Sequence, residues 1–255
     1  MTSSRPTASA RARREPPAIA QPATSGAEAA FESRTSRRKR ETRERLLDAA
    51  FRLMAERGMD AVAINEITEA ADVGFGSFYN HFASKEEIYA AVIVAVFESF
   101  GDALDQLVRE LEDPAEVIAV SIRQTLIRAR HDPLWGQFLV REGTSDRART
   151  RGLGPRLRRD LQKGVEAGRF KIPDPDMAFI TVGGGVLAAV AAQVQLAARE
   201  AAGAAPSRKR SADIPERAAA TLLHALGLSF AKADALARRP LPSGGIRNPF
   251  PLTRA

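Results

Sequence analysis

The sequence predicts an all-α fold, because apolar residues recur at helical spacing and no segment shows the strict alternation of a half-buried strand. Gly, Pro and Asp residues interrupt these periodic segments where helix ends are expected. A chain of 255 residues with 44% hydrophobic content can bury the core of one large domain or two small ones. No repeat of fixed period is present, which excludes a solenoid.

The chain divides by composition into four segments. Residues 1–33 lack hydrophobic periodicity and are predicted to form a disordered tail, as are residues 238–255, which contain several prolines and glycines. Residues 34–84 are predicted to form a small domain of three helices, and residues 85–237 a larger helical domain.

The positive charge is concentrated in one short run. The net charge is +7, but residues 86–236 hold 20 basic and 20 acidic side chains, so the surplus lies outside them. Residues 34–45 alone carry seven basic and two acidic side chains. Such a run suits phosphate binding, but it is equally typical of a solvated tail, and composition leaves both interpretations open.

Composition also narrows the class of function. Three histidines, no cysteine and no glycine-rich loop after a strand give no basis for a catalytic site, a metal site or a cofactor. The N-terminus has no apolar segment of the kind a secretory signal needs, which favours a cytoplasmic location. Glycines and glutamines interrupt the longest apolar stretch, Phe179–Ala198, so we expect a buried helix there and no contact with a membrane.

The helices of the small domain can be assigned in order. A basic, amphipathic first helix is predicted from about Ser36 to Arg57, and a short second helix over Ile64–Ala71. After a break at Asp72, a third helix is predicted over residues 74–82, and Ser84 is expected to cap a much longer fourth helix. Two short helices across a tight turn predict a helix-turn-helix.

The third predicted helix carries unusual side chains for a solvated surface. Phe75, Ser77, Tyr79 and Asn80 are uncharged, whereas a merely solvated face usually carries charged residues. A short helix that exposes tyrosine and asparagine suits contact with phosphates and base edges in the major groove of DNA. The alternative is that these aromatic residues belong to the core.

The sequence GMDAVAINEITEAADVGFGSFYNHFASKEEIY, residues 58–89, resembles the TetR family of one-component bacterial transcriptional regulators. The shared pattern is a glycine, a hydrophobic-x-x-Ile helix, a turn, Tyr-x-x-Phe and Ser-Lys-Glu-Glu. The resemblance implies a homodimer that binds a palindromic operator in double-stranded DNA. It also implies a repressor that is released by a small, largely apolar ligand.

The resemblance assigns DNA contacts to individual positions. Phosphate contact or its support is implied for Tyr79, His81 and Lys85, although His81 is also consistent with a plain surface or capping role. The residues implied to read bases are Asn65, Phe75, Gly76, Ser77 and Asn80, with Phe75 suited to a thymine methyl group. The arm residues implied to contact phosphates or the minor groove are Arg37, Arg38, Lys39 and Arg40.

Two positions depart from the family pattern. Ala63 stands where the family has a serine or threonine at the cap of the second helix, so one side-chain cap and one phosphate contact are lost. Asp72 stands where the family has glycine at the turn, and aspartate is among the few residues that accept the left-handed conformation.

The larger domain is predicted to contain five or six helices, at about residues 84–111, 114–130, 133–142, 154–168, 175–202 and 212–237. The resemblance implies that the last two pair across a two-fold axis in a dimer, and the alternative is that they form the domain's own core. Gly183–Gly185 lies in the middle of a helix, where a close helix crossing or a kink is expected.

A ligand pocket is expected among the middle helices of this domain. The residues predicted to line it are Arg123, Trp135, Phe138, Leu139, Phe179, Val182 and Val186, with Gln124, Arg141 and Gln193 as further polar anchors. Each of the aromatic residues is also consistent with a place in the core.

Two other functions stay open at this stage. The chain could keep the DNA-binding domain and use the larger domain to bind a protein or to activate transcription. A helical scaffold that binds no DNA is the third reading, and the set of Tyr79, His81 and Lys85 argues against it.

Overall fold

The computed structural model describes residues 34–203, 213–243 and 246, and every regular element among these residues is a helix. The chain divides into a short N-terminal unit, residues 1–38, and a compact unit, residues 39–255. The predicted tail over residues 1–33, and all of the predicted C-terminal tail except residues 238–243 and 246, lie outside the described residues.

The helices are α1 Arg34–Arg57, α2 Ile64–Ala70, α3 Phe75–Phe78, α4 Lys85–Ile93, a π-helical turn Val94–Glu98, α5 Ser99–Leu107, α6 Pro114–His131, α7 Pro133–Glu142, α8 Asp146–Thr150, α9 Leu153–Glu166, α10 Pro175–Ala201, α11 Ile214–Ala225 and α12 Phe230–Ala237. The all-α prediction is confirmed, with a helix-turn-helix domain ahead of a larger helical domain.

Helices α1 to α3 form the helix-turn-helix domain, which we call the head. Their apolar faces contribute to one hydrophobic core, through the buried side chains of Phe51 on α1, Ile67 on α2 and Phe78 on α3. Asp72, in the turn between α2 and α3, has a φ of 50° and so adopts the left-handed conformation that the sequence led us to expect. Helix α3 is shorter than predicted, because a turn replaces helical structure after Phe78.

The long helix predicted from Ser84 to residue 111 is divided. It begins as expected, since the backbone N–H of Glu87 donates to the Ser84 hydroxyl at 3.2 Å. A π-helical turn at Val94–Glu98 then separates α4 from α5, which ends at Leu107. Single π-helical turns inside α-helices are often found at functional sites, and this turn lies beside the cavity described below.

The predicted helix over residues 212–237 is wrong as a single element. Gly227 has a φ of 96°, which ends α11 and lets the chain turn into α12. The short helix α8 was not predicted; its N-terminus is capped by Ser145, whose hydroxyl accepts from the Ala148 backbone N–H at 3.2 Å.

Helix α6 lies at the centre of the larger domain and packs against α7, α9, α10 and α11. Helix α10 contains a window long and apolar enough to cross a membrane by length and composition, and we had expected it to be buried. The expectation of burial is wrong: only Val182, Val190 and Gln193 of α10 are fully buried, while Met177 and Ile180 are largely exposed. One face of α10 packs on the core and the other stays uncovered.

Candidate DNA interface and ligand cavity

Helix α3 and the turn after it present an aromatic pair at the surface. Phe75 is 53% exposed and Tyr79 is 52% exposed, and their rings meet edge to face with centroids 5.6 Å apart. Phe78, between them, is fully buried and fixes the orientation of α3 on the head. The exposure of Phe75 and Tyr79 agrees with the prediction that they face outward, and the alternative that they belong to the core is wrong.

The remaining base-contact candidates also lie at the surface. Asn65 on α2 and Gly76 and Asn80 around α3 are exposed, and Ser77 is half-buried. An added Cβ at Gly76 would meet no atom within 4 Å, so this position offers open space for a close approach. Polar and small residues beside an exposed aromatic pair make a surface that can enter a groove.

His81 is half-buried beside this surface. Burial lowers its pKa, and the nearby cations Lys39 and Arg43 lower it further, so the ring is neutral at neutral pH. Its buried Nδ1 has no hydrogen-bond partner among the described residues. An anion placed here would oppose the effect of the two cations and favour the protonated ring.

The turn of the helix-turn-helix is held by a residue that sequence reasoning missed. Arg45, on α1, donates hydrogen bonds to the carbonyl oxygens of Ala71 and Asp72, and its guanidinium lies 3.3 Å from the Asp72 carboxylate. Arg45 is the last of the seven cations in the basic run over residues 34–45, and nothing in the sequence distinguishes it from the others. Arg45 therefore ties α1 to the turn between α2 and α3.

The cap missing at Ala63 is partly replaced from within α2. The Glu66 carboxylate accepts from the Ala63 backbone N–H at 2.8 Å and from Arg57 at 2.8 Å. Both bonds lower the pKa of Glu66, and the bond from the Ala63 backbone has the greater effect. Lys85 is the first residue of α4, and its Nζ lies 3.5 Å from the Asp60 carbonyl oxygen.

The basic arm residues of both units are exposed. Lys39 and Arg40 belong to the compact unit, and Arg43, one turn further, stacks over the Phe82 ring at 4.8 Å. Arg37 and Arg38 belong to the N-terminal unit and are also exposed.

The larger domain contains a cavity of about 430 Å³. Four of the residues predicted for a pocket line it, namely Leu139, Phe179, Val182 and Val186. The lining is mainly aliphatic and aromatic, with a few polar groups, which is the usual composition of a small-molecule site. Gly183 and Gly184 also line it, so the glycines of α10 leave space for the cavity, whereas only Gly185 packs closely against another helix, at Leu222.

Three residues of the predicted lining lie elsewhere, and the expectation is corrected for each. Trp135 is buried in the core against Phe100, with ring centroids 4.8 Å apart. Phe138 is buried between other aromatic rings. Arg123 donates to the Arg239 carbonyl at 2.6 Å and to Glu216 at 3.0 Å, which ties α6 to α11 and to the residues after α12.

The other expected polar anchors, Gln124, Arg141 and Gln193, are also absent from the cavity lining. The polar part consists instead of three hydroxyl side chains, those of Ser121, Thr125 and Thr144, and of four charged ones, those of Asp105, Asp160, Arg149 and Arg156. The two negative and two positive charges balance, so the lining carries no net charge.

Arg156 organises the polar side of the cavity. Its Nε donates to Asp105 at 2.9 Å and its Nη1 to Glu98, in the π-helical turn, at 2.6 Å; it also pairs with Asp102. Burial would raise the pKa of Asp105, but hydrogen bonds from Arg159 and Arg156 outweigh it and the pKa is lowered. Asp105 is therefore ionised at neutral pH and keeps lone pairs for a further donor.

Gly101 allows this arrangement. An added Cβ at Gly101 would lie 2.7 Å from the Arg156 guanidinium, so a side chain here would push Arg156 away from α5. The complementary pairs Asp102/Asp105 and Arg156/Arg159 are each three residues apart. This spacing puts each pair on one helix face, but only the fold shows that the two faces meet.

Two family models match the chain. Residues 46–92 match the model described as bacterial regulatory proteins, tetR family, and residues 113–239 match the model of the tetracyclin repressor-like C-terminal domain. The first match covers the second half of α1, the helices α2 and α3, and all of α4 except its last residue. The second match covers most of the larger domain.

Several known proteins are similar to this chain. TcmR of Streptomyces glaucescens, an HTH-type transcriptional regulator, is 36% identical over 101 residues, which are 39% of this chain and 44% of TcmR. DhaR of Mycobacterium sp. (strain GP1), an HTH-type transcriptional repressor, is 38% identical over 95 residues, 37% of this chain and 46% of DhaR. The chain thus spans about half the length of these curated relatives.

A solved structure extends the similarity over nearly a whole protein. The crystal structure of RolR in complex with resorcinol is 41% identical, with a TM-score of 0.58, and the match covers 81% of this chain and 98% of that one. The fold and the site define a helix-turn-helix regulatory protein with an internal cavity. The chain belongs to the TetR family of bacterial regulatory proteins.

Proposed function

We propose that this protein is a sequence-specific DNA-binding transcriptional regulator that represses from a palindromic operator. The observation that carries the proposal is the exposed aromatic pair Phe75 and Tyr79 on a rigid helix-turn-helix, flanked by cations. Tyr79, His81 and Lys85 would fix the head on the phosphates. The residues that would read bases are Asn65, Phe75, Gly76, Ser77 and Asn80, and those of the arm that would add phosphate or minor-groove contacts are Arg37, Arg38, Lys39 and Arg40. A regulator of this kind acts where the DNA is, in the cytoplasm.

A homodimer is part of this proposal. The uncovered face of α10 exposes Met177 and Ile180, and apolar side chains of this size in one surface patch favour contact with a partner. A second copy related by a two-fold axis would cover this face with its own α10 and α11 and place two heads on two half-sites. The proposal also includes the division into a DNA-binding domain over residues 34–84 and a regulatory and dimerisation domain over residues 85–237.

Selection of bound duplexes from a random DNA pool tests this function. The wild-type protein is expected to enrich one palindrome, and the Tyr79→Ala variant is expected to lose the enrichment while keeping its fold by circular dichroism. Arg169→Met, which breaks a salt bridge with Asp113 in the larger domain, serves as the matched control and is expected to enrich the same palindrome. Enrichment of no duplex by the wild type would refute the proposal.

The effector we propose is a small uncharged aromatic compound that carries hydroxyl groups. RolR, similar over almost its full length, was crystallised with resorcinol. The cavity of this chain is electrically neutral, mainly apolar and offers the Asp105 carboxylate as an acceptor for a hydroxyl donor. Binding of such a ligand to the operator-free form would release the DNA.

Resorcinol is the probe for the effector. At 100 times its dissociation constant a ligand stabilises the folded protein by about 2.7 kcal/mol, so a clear rise in melting temperature is expected for the wild type. Asp105→Asn is expected to lose most of this rise, and Arg169→Met to retain it. A wild-type protein that resorcinol does not stabilise would contradict this effector class and leave the proposal for DNA binding standing.

A larger domain that binds a protein is the second candidate. The uncovered face of α10 also fits a partner of another kind. Analytical ultracentrifugation distinguishes the homodimer from this alternative, because a chain that is monomeric at micromolar concentration would favour a larger domain that binds another protein.

A further inference from the structure

The segment Leu139–Arg149, from the last turn of α7 through α8, lies between the cavity and the head. Leu139, Gly143 and Ala148 line the cavity. Residues four apart share one face of a helix, so Leu139 and Gly143 point the same way. Arg141 and Glu142, between them, point towards other parts of the molecule.

Those two residues contact α1, the first helix of the head, and α4, the helix that follows the head. Arg141 Nη2 donates to the Glu56 carbonyl, in the last turn of α1, at 2.9 Å. The Tyr89 hydroxyl, on α4, donates to the Glu142 carboxylate. A third residue of the segment, Arg147, stacks over the Tyr89 ring at 4.9 Å.

The hydrogen bond between Tyr89 and Glu142 is buried, so water cannot replace either partner if the two separate. Tyr89 is 6% exposed and Glu142 is 7% exposed. Breaking a buried hydrogen bond on one side leaves the other polar group buried without a partner, which is costly. Burial and the Glu142 bond raise the pKa of Tyr89, so the phenol keeps its proton as donor. A displacement of Glu142 therefore takes Tyr89 and α4 with it.

Aromatic packing supports the same connection. Phe138, one turn before Glu142, packs against Phe51 of α1 at 5.3 Å and against Phe97 at 5.4 Å between ring centroids. Phe97 lies in the π-helical turn and lines the cavity. The cavity wall, α7 and α1 are thus in contact through three buried rings, and such packed interiors transmit a displacement.

We propose that Arg141 and Glu142 are positioning residues that transmit occupancy of the cavity to the head, through Glu56 on α1 and Tyr89 on α4. The inference rests on the proposed function, since it concerns how the cavity controls DNA binding. A ligand against Leu139 and Gly143 displaces the segment, and the two bonds carry the displacement to the helices that set the position of α3. Such coupling is reciprocal, so operator binding must in turn alter the segment.

Amide hydrogen exchange of the full chain, with and without the selected operator duplex, tests this without a known effector. In the wild type, operator binding is expected to change the exchange rate of peptides covering residues 139–149 at least about threefold, together with peptides of α3. In the double variant Tyr89→Phe/Glu142→Leu both polar partners become apolar groups of similar size, which keeps the fold. In this variant, operator binding is still expected to slow amide exchange in α3, but it is expected to leave the exchange of residues 139–149 unchanged.

Arg141→Met removes the second bond at an exposed position and is expected to reduce the response, and Arg169→Met is the control that retains it. A segment that fails to respond in the wild type, or responds equally in the double variant, overturns this inference while the α3 response still supports DNA binding. A wild-type protein with no selected duplex overturns the proposed function and this inference together.

Discussion

Substitution by alanine is expected to have opposite effects at two phenylalanines, lowering stability at Phe138 and operator affinity at Phe75. Phe138 is fully buried and packs against two aromatic rings, whereas Phe75 is 53% exposed on α3. Removal of a buried phenylalanine side chain costs about 3–5 kcal/mol. For a domain of this size each kcal/mol lowers the melting temperature by about 2–4 °C, so Phe138→Ala should lower it by about 6–20 °C.

Phe75→Ala should leave stability nearly unchanged, within about 0.5 kcal/mol. If each ring covers one thymine methyl group, about 0.8 kcal/mol is lost per head. Two heads lose about 1.6 kcal/mol, which weakens operator binding about 15-fold.

Thermal melts followed by circular dichroism measure the first effect, and fluorescence anisotropy with the selected duplex measures the second. The reasoning is refuted if Phe138→Ala melts within about 2 °C of the wild type, because a buried ring cannot be removed at so little cost. It is also refuted if Phe75→Ala binds the operator as tightly as the wild type does.

Three further predictions follow from single contacts. Arg45→Met removes the bonds to the turn at Asp72 and should weaken operator binding more than it lowers stability, as anisotropy and thermal melts would show. The pKa values of Glu98 and Asp105 are lowered on folding, so their contribution to stability is complete above about pH 4.5 and is lost as the pH falls through the lowered values. Denaturant unfolding from about pH 3 to pH 7 checks this, and Asp105→Asn should make the free energy of unfolding less dependent on pH. Gly227→Ala should destabilise the domain by more than about 1 kcal/mol, because φ is 96° and the new Cβ would lie 2.9 Å from Lys171; an unchanged urea midpoint would contradict it.

The head could be predicted from the sequence because its signals are local. The caps, the turn at Asp72 and the apolar spacing around Phe51 lie within a few residues of the structures they determine. The role of Arg45 could not be predicted, since its partners lie 26 and 27 residues further along the chain. A basic run suggests DNA contact for every cation in it, and only the fold separates those that support the turn.

The cavity could be predicted only in part. Leu139, Phe179 and Val182 were identified because they are large and apolar on the middle helices. The same criterion wrongly included Trp135 and Phe138, since a large apolar side chain suits a core and a cavity wall equally well.

The polar groups of the cavity were missed altogether. Asp105 and Arg156 are 51 residues apart, and nothing local shows that α5 faces α9. The division of the last predicted helix at Gly227 was missed for another reason, because a glycine inside a helical pattern is compatible with either a packed interior or a left-handed end.

The most direct test of sequence-specific DNA binding is the ratio of two dissociation constants, measured by anisotropy at two salt concentrations. One duplex carries the selected palindrome, and the other has the same composition in scrambled order. We predict that the palindrome binds at least about 1,000-fold more tightly, and that salt weakens both duplexes through the shared phosphate contacts. Equal affinities that fall together with salt would contradict the account and leave only electrostatic attachment of a basic protein.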